Sequence, residues 1–126
     1  MGAFSNYLED KLVDHVLGVT PYTPPVTRYV ALHSADPTEA GSVGEISGGS
    51  YARQVAAFAA SSAGATANQA AITYASMPAC TVTHISIKDA LTAGNTLFYG
   101  PLVTPKTVNA GDTFTIAAGD LDVALD

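Results

Sequence analysis

Charge is what this sequence has least of. Five Lys and Arg and eleven Asp and Glu make up 13% of its 126 residues, against roughly 25% in an ordinary soluble domain. None of them lies between Gln54 and Ile87. That tract is not a membrane span, because Ser61, Ser62, Thr66, Asn68, Gln69, Thr73, Thr81 and Thr83 interrupt it. No run reaches the ~18 apolar residues of a transmembrane helix. The five cations, Lys11, Arg28, Arg53, Lys88 and Lys106, are dispersed in a chain of net charge −6. Phosphate backbones are bound by clustered cations, so neither nucleic acid nor a membrane is expected as a partner. Cys80 is alone, which excludes an internal disulfide and predicts a small buried apolar side chain. Trp is absent. No basic segment followed by an apolar one opens the sequence, so no signal peptide is expected. Heptads, Gly-X-Y triplets and internal repeats are also missing, and these are the usual sources of fibrous length.

What is present reads as one mainly β domain. The hydrophobic fraction of 48% excludes global disorder. Asn6 is placed as an N-cap with Glu9 in the reciprocal position. Leu8, Leu12 and Val16 then recur every four residues, with Phe4 one step earlier and Val13 and Leu17 alongside. Gly18 closes the helix in a left-handed conformation. The helix is expected at Asn6–Leu17. Pro21, Pro24 and Pro25 impose an extended spacer. The apolar face of the helix then packs either on its own β-core or on a neighbour. The expected units are a helical arm at 1–19, a spacer at 20–26 and a β-domain at 27–126.

Strands are expected at Thr27–Ser34, Ser50–Ala60, Gln69–Ser76, Thr81–Asp89, Thr96–Val103 and Thr113–Ala117, with a last one through Leu121, Val123 and Leu125. In the first, Val30 and Leu32 oppose Tyr29, Ala31 and His33. In the fourth, Thr83, Ile85 and Ile87 point inward while His84, Ser86 and Lys88 point outward. Ser50–Ala60 is rich enough in Ala for a helix, but the glycines before and after it favour a strand. Gly100-Pro101 predicts a bulge or an edge. Turns about every dozen residues mark a β-sandwich or barrel-like domain of six to seven strands after one amphipathic helix. Thr38–Gly49, with four glycines and the acids Glu39 and Glu45, is expected to be a mobile loop suited to recognition.

Catalytic and metal chemistry find no support. His15, His33 and His84 are far apart and lack metal-ligand spacing. His33-Ser34-Ala35-Asp36 holds the ingredients of a hydrolase triad without its layout, and no nucleophile elbow occurs. Asn109–Asp112 and Gly119–Asp122 read as Asx turns and lack the spaced acids of a calcium loop. Ser47-Gly48-Gly49-Ser50 lacks the lysine of a phosphate loop. No cofactor, metal or catalytic residue is expected. Arg53 has two readings: an edge residue satisfying loop carbonyls or a carboxylate, or an anchor in a subunit contact, where Arg and Tyr are enriched.

Tyr7–Gly18, Tyr22-Thr23-Pro24-Pro25, Tyr29–Thr38 and Ile46–Gln54 together resemble a family of short tailed-bacteriophage virion structural proteins, often labelled "tail fibre protein". The resemblance implies a virion component assembled in the host bacterial cytoplasm, with no enzymatic activity. The compact β-domain is similar to capsid decoration (cement) proteins. These are commonly trimers that bind the major capsid protein lattice through several modest contacts. A homotrimer on that lattice is therefore expected. The alternatives are a tail fibre, tail-tip or baseplate component in contact with tail proteins, and a receptor- or glycan-binding module. The candidate assembly contacts are Phe4, Tyr7, Leu8, Leu12, Val16, Tyr51 and Arg53. Removing residues 1–19 is expected to leave a folded domain that assembles poorly. The charge-free tract is expected to be a buried wall, either a subunit interface or the domain's own core.

Overall fold

A computed structural model describes residues 3–125. Met1, Gly2 and Asp126, at the outer ends of the expected units 1–19 and 27–126, lie outside the described residues. The chain runs β1 (Ala3–Phe4), α1 (Asn6–Val16), β2 (Arg28–His33), β3 (Gln54–Ala56), β4 (Ala65–Ala67), β5 (Ile72–Tyr74), β6 (Cys80–Lys88), β7 (Thr96–Val108), β8 (Phe114–Ile116) and β9 (Asp122–Ala124). An antiparallel five-stranded sheet has the order β1-β7-β6-β2-β3, and β4–β9 and β5–β8 form two ribbons. The sheet is open at both edges, so the domain is sandwich-like and mainly β rather than a closed barrel.

Two of these strands, β1 and β4, were not expected. They span two and three residues, too few for any alternation to register. The expected Ser50–Ala60 strand contracts to β3, because Phe58 makes only a single bridge to Asn68. β7 runs beyond the expected end at Val103. Its pairing slips from Val82↔Lys106 to His84↔Pro101, which puts the irregularity just past Gly100-Pro101, where a bulge or an edge was expected. β1 covers only Phe98 and Tyr99, so Pro101, which has no N–H to donate, lies on an open edge.

The helix starts at Asn6 as expected and ends at Val16 rather than Leu17, but its cap lies one residue earlier than expected. Ser5 is the N-cap, and its Oγ accepts from the Leu8 N–H at 3.2 Å and donates to the Thr96 carbonyl. Asn6 is therefore the first helical residue. Gly18 has φ +77° as predicted. Leu8 is buried, and Tyr7 and Leu12 pack half-buried against the core.

One face of the sheet meets the ribbons. Val30, Leu32, Ile85 and Ile87 share a cluster with Ile72, Tyr74, Phe114, Ile116 and Val123. The opposite face corrects the expected alternation. Ala31, His33, Ser86 and Lys88 are also buried, because the Gly-rich loop folds back over them. Lys88 Nζ donates to Gly41 O and to Thr96 Oγ1, both at 2.7 Å. Thr96 Oγ1 donates to Ala40 O at 3.1 Å. His33 Nδ1 meets Val43 O at 2.9 Å. The loop is thus a pinned cover over a polar sheet face rather than a free flap.

The same loop completes β2. At the end of β3, where Gln54 pairs with Val30, Tyr74 OH donates to Val30 O at 2.7 Å, and beyond it Leu32 N–H donates to the Tyr51 hydroxyl at 3.0 Å. Ile46 N–H donates to Leu32 O at 2.9 Å. Two tyrosines and a loop backbone satisfy an edge that would otherwise invite pairing with another chain.

Gly41 is the tightest point of the cover. It has φ +65°, and a Cβ there would stand 2.5 Å from Lys88 Nζ and collide with the Thr96 side chain. Gly41→Ala is expected to cost about 2–4 kcal/mol, from left-handed strain and weakened Lys88 bonds. Urea denaturation would measure it, and a loss under about 0.5 kcal/mol would mean that the loop lifts freely.

Candidate assembly surface

The seven candidate contacts divide into groups. Phe4 packs edge-on against Phe98, with centroids 4.4 Å apart and planes at 79°. With Leu8, Tyr7 and Leu12 it belongs to the protomer's own core. The Lys11 ammonium lies 5.7 Å from the centroid of the Tyr7 ring. Val16 differs, being 75% exposed. Val13, Leu17 and Val19 beside it are 56%, 73% and 70% exposed. The helix is therefore docked in cis by its first two turns and presents a bare aliphatic end.

Tyr51 and Arg53 meet at a centre within the chain. Arg53 binds Glu45 in a bidentate pair, Nε to Oε2 and Nη2 to Oε1, both at 2.9 Å. Its Nη1 donates to Ala90 O and Ala93 O at 2.8 and 2.9 Å. Tyr51 OH donates to Glu45 Oε2 at 2.9 Å, and its ring stacks on Tyr74 at 6.0 Å. Arg53 thus clamps the Gly-rich loop to the β6–β7 turn. Burial alone would raise the Glu45 carboxyl, but the bonds from Arg53 and Tyr51 hold it below the usual range. Sequence reasoning noted Glu45 without pairing it. The available signal was an acid eight residues before the only nearby cation, with Ser47–Gly49 between them to turn the chain.

No catalytic grouping emerges around the histidines. Ser34 Oγ donates to Gly44 O, and Asp36 Oδ1 accepts from Thr38 N–H, so neither reaches His33. His33 instead bonds Ser86 Oγ through Nε2 at 2.8 Å. A carbonyl can only accept, so Nδ1 carries the proton toward Val43 O and Nε2 accepts from Ser86. Both residues are fully buried, leaving no room for a substrate. Among the described residues no His, Cys, Asp and Glu group could hold a metal ion, and no buried side-chain polar atom lacks a partner.

Burial holds the His33 imidazole below its ordinary 6.5, outweighing the opposing effects of the Val43 carbonyl and Glu45. The unfolded chain therefore takes up the proton first as pH falls below 6.5, and stability declines from there. Glu45, held below 4.5, adds a second decline beneath that value. Thermal midpoints between pH 7.5 and 4 should fall in these two windows. His33→Gln should lower the pH 7.5 value yet remove the decline that sets in below 6.5.

The charge-free tract is only partly core. Ala56, Ile72, Tyr74, Met77, Val82, Ile85 and Ile87 are buried, while Ala59–Ala65, Gln69–Ala71, Ala75 and Ser76 are exposed. As a whole it is therefore not the domain's interior; much of it is an uncharged surface of small residues.

The family described as Podophage GP4 fiber I protein gp80 matches residues 3–124. No curated protein matches the chain. The chain belongs to this family of short-tailed phage fibre proteins and is a structural protein of the phage virion.

Proposed function

We propose that the chain is a compact module of a tail fibre, acting through contacts between copies and with tail proteins rather than through its own length or any chemistry. The observation that carries this reading is the family match along residues 3–124, whose description names a fibre. The aliphatic end of α1 and the uncharged surface fit a protein covered in an assembly, since such surfaces are poor at keeping single chains apart.

The second reading is a capsid decoration protein, a homotrimeric knob clamping the major capsid lattice. It is favoured by the absence of heptads, triplets or repeats, which a shaft would need. Many weak contacts on a fixed lattice would add through effective concentration. Quantitative mass spectrometry of purified virions separates the two. A copy number that follows the symmetry of the tail supports the fibre, and one that follows the number of capsid subunits supports decoration. Absence from the particle overturns both.

A further inference from the structure

The aliphatic end of α1 has a counterpart elsewhere on the molecule. Ile87, Leu97 and Val123 floor a groove of about 180 Å³, with Phe58, Phe98 and Arg28 at its half-exposed rim. A single water needs only ~10–15 Å³ of such space, so the groove accepts a branched aliphatic side chain. Arg28 forms no ion pair or side-chain hydrogen bond among the described residues.

On α1, Val13, Asp14 and Leu17 share one helical face by their spacing of three and four residues. Val13 and Leu17 are exposed and Asp14 is half-exposed. The helix end is thus an apolar knob with a carboxylate beside it, and the groove is an apolar hole with a guanidinium beside it. Two chains of net charge −6 repel wherever acids face acids. A contact that sets Asp14 against Arg28 while burying Leu17 avoids that repulsion.

We propose that the C-terminal end of α1 docks into this groove on a second copy of the chain. Leu17 fills the hole and Asp14 pairs with Arg28 at its rim. This deepens the fibre reading by naming the contact between copies, and it rests on the chain working as an assembly. Knob and hole are different surfaces, so the contact either repeats head to tail until a ring closes or is exchanged reciprocally between two chains.

Sedimentation velocity on the intact chain tests it. The wild type is expected to self-associate. Leu17→Asp should weaken association at least ~30-fold, because a charge replaces a buried aliphatic group. Its circular dichroism should stay unchanged, since Leu17 is exposed in the single chain. Arg28→Glu should weaken association about tenfold, and Asp14→Arg in the same chain should restore it. Thr66 also lines the groove, so L17C/C80S chains mixed with T66C/C80S chains should form a mixed disulfide dimer, whereas V26C/C80S chains should not, Val26 lying outside the knob.

A wild-type chain that stays monomeric overturns the proposal, as does L17D associating like the wild type. Failure of the charge swap to restore R28E removes the Asp14–Arg28 pairing. None of these outcomes changes the copy number in virions, so the fibre reading stands or falls separately.

Discussion

Replacing Arg53 with Met is expected to lower stability by about 3–5 kcal/mol, the range for removing one partner of a buried ion pair. Met retains the aliphatic stem but leaves Glu45 with only the Tyr51 hydroxyl, and it frees the carbonyls of Ala90 and Ala93. At this chain length the loss corresponds to a fall in thermal midpoint of ~10–20 °C. Surface ion pairs contribute about 0–1 kcal/mol, and this one differs because the Arg53 side chain is only 8% exposed. The double variant R53M/E45Q separates charge from packing. It should recover part of the loss, since no carboxylate is then left half-buried without its cation. A single-variant loss below about 1 kcal/mol would show that the clamp is merely decorative and that the loop is held by its other bonds, to Lys88, Thr96, His33 and Leu32.

The clamp also explains why the sequence was legible in some places and opaque in others. Apolar periodicity located α1, and Val30, Ile85 and Ile87 alternated as strands do. The positive φ of Gly18 followed from its place after the last helical turn. Ser86 and Lys88 were assigned to solvent because alternation has no means of announcing a polar cover. That cover is a loop joined to Lys88 and His33 by its backbone carbonyls, with Ser86 bonded to His33 beneath it, and any sequence supplies carbonyls. The Ser5 cap was missed for a similar reason. Ser5 and Asn6 are both good caps, and what selects Ser5 is Thr96, ninety-one positions away. At the assembly surface, the apolar stripe of α1 was visible as a set. Its division into a buried half and a bare half depends on the docking of its N-terminal end at the start of β7, through Ser5 on Thr96 and Leu97.

The division within α1 separates two properties that a truncation would confuse. From the sequence, the first nineteen residues looked detachable. In the fold, Ala3 and Phe4 pair with Tyr99 and Phe98, Ser5 N–H donates to Leu97 O at 2.9 Å, and Asn6 N–H donates to Glu39 Oε2 at 2.6 Å. Leu8 is 5% exposed within the core cluster. Losing a buried Leu costs about 2–5 kcal/mol and a Phe about 3–5 kcal/mol, and Phe4 is only half-buried. Together with an uncovered β7 edge, deletion of residues 1–19 is expected to remove at least ~5 kcal/mol. Small domains have about 5–15 kcal/mol to lose, so the truncated chain should be unfolded or aggregated at 37 °C by circular dichroism and light scattering. A truncated chain that folds with wild-type stability would return α1 to the status of a free arm and would mean that Leu8 and Phe4 contribute little. Leu17→Asp is the cleaner probe of assembly, because the residues that seat the helix are left in place.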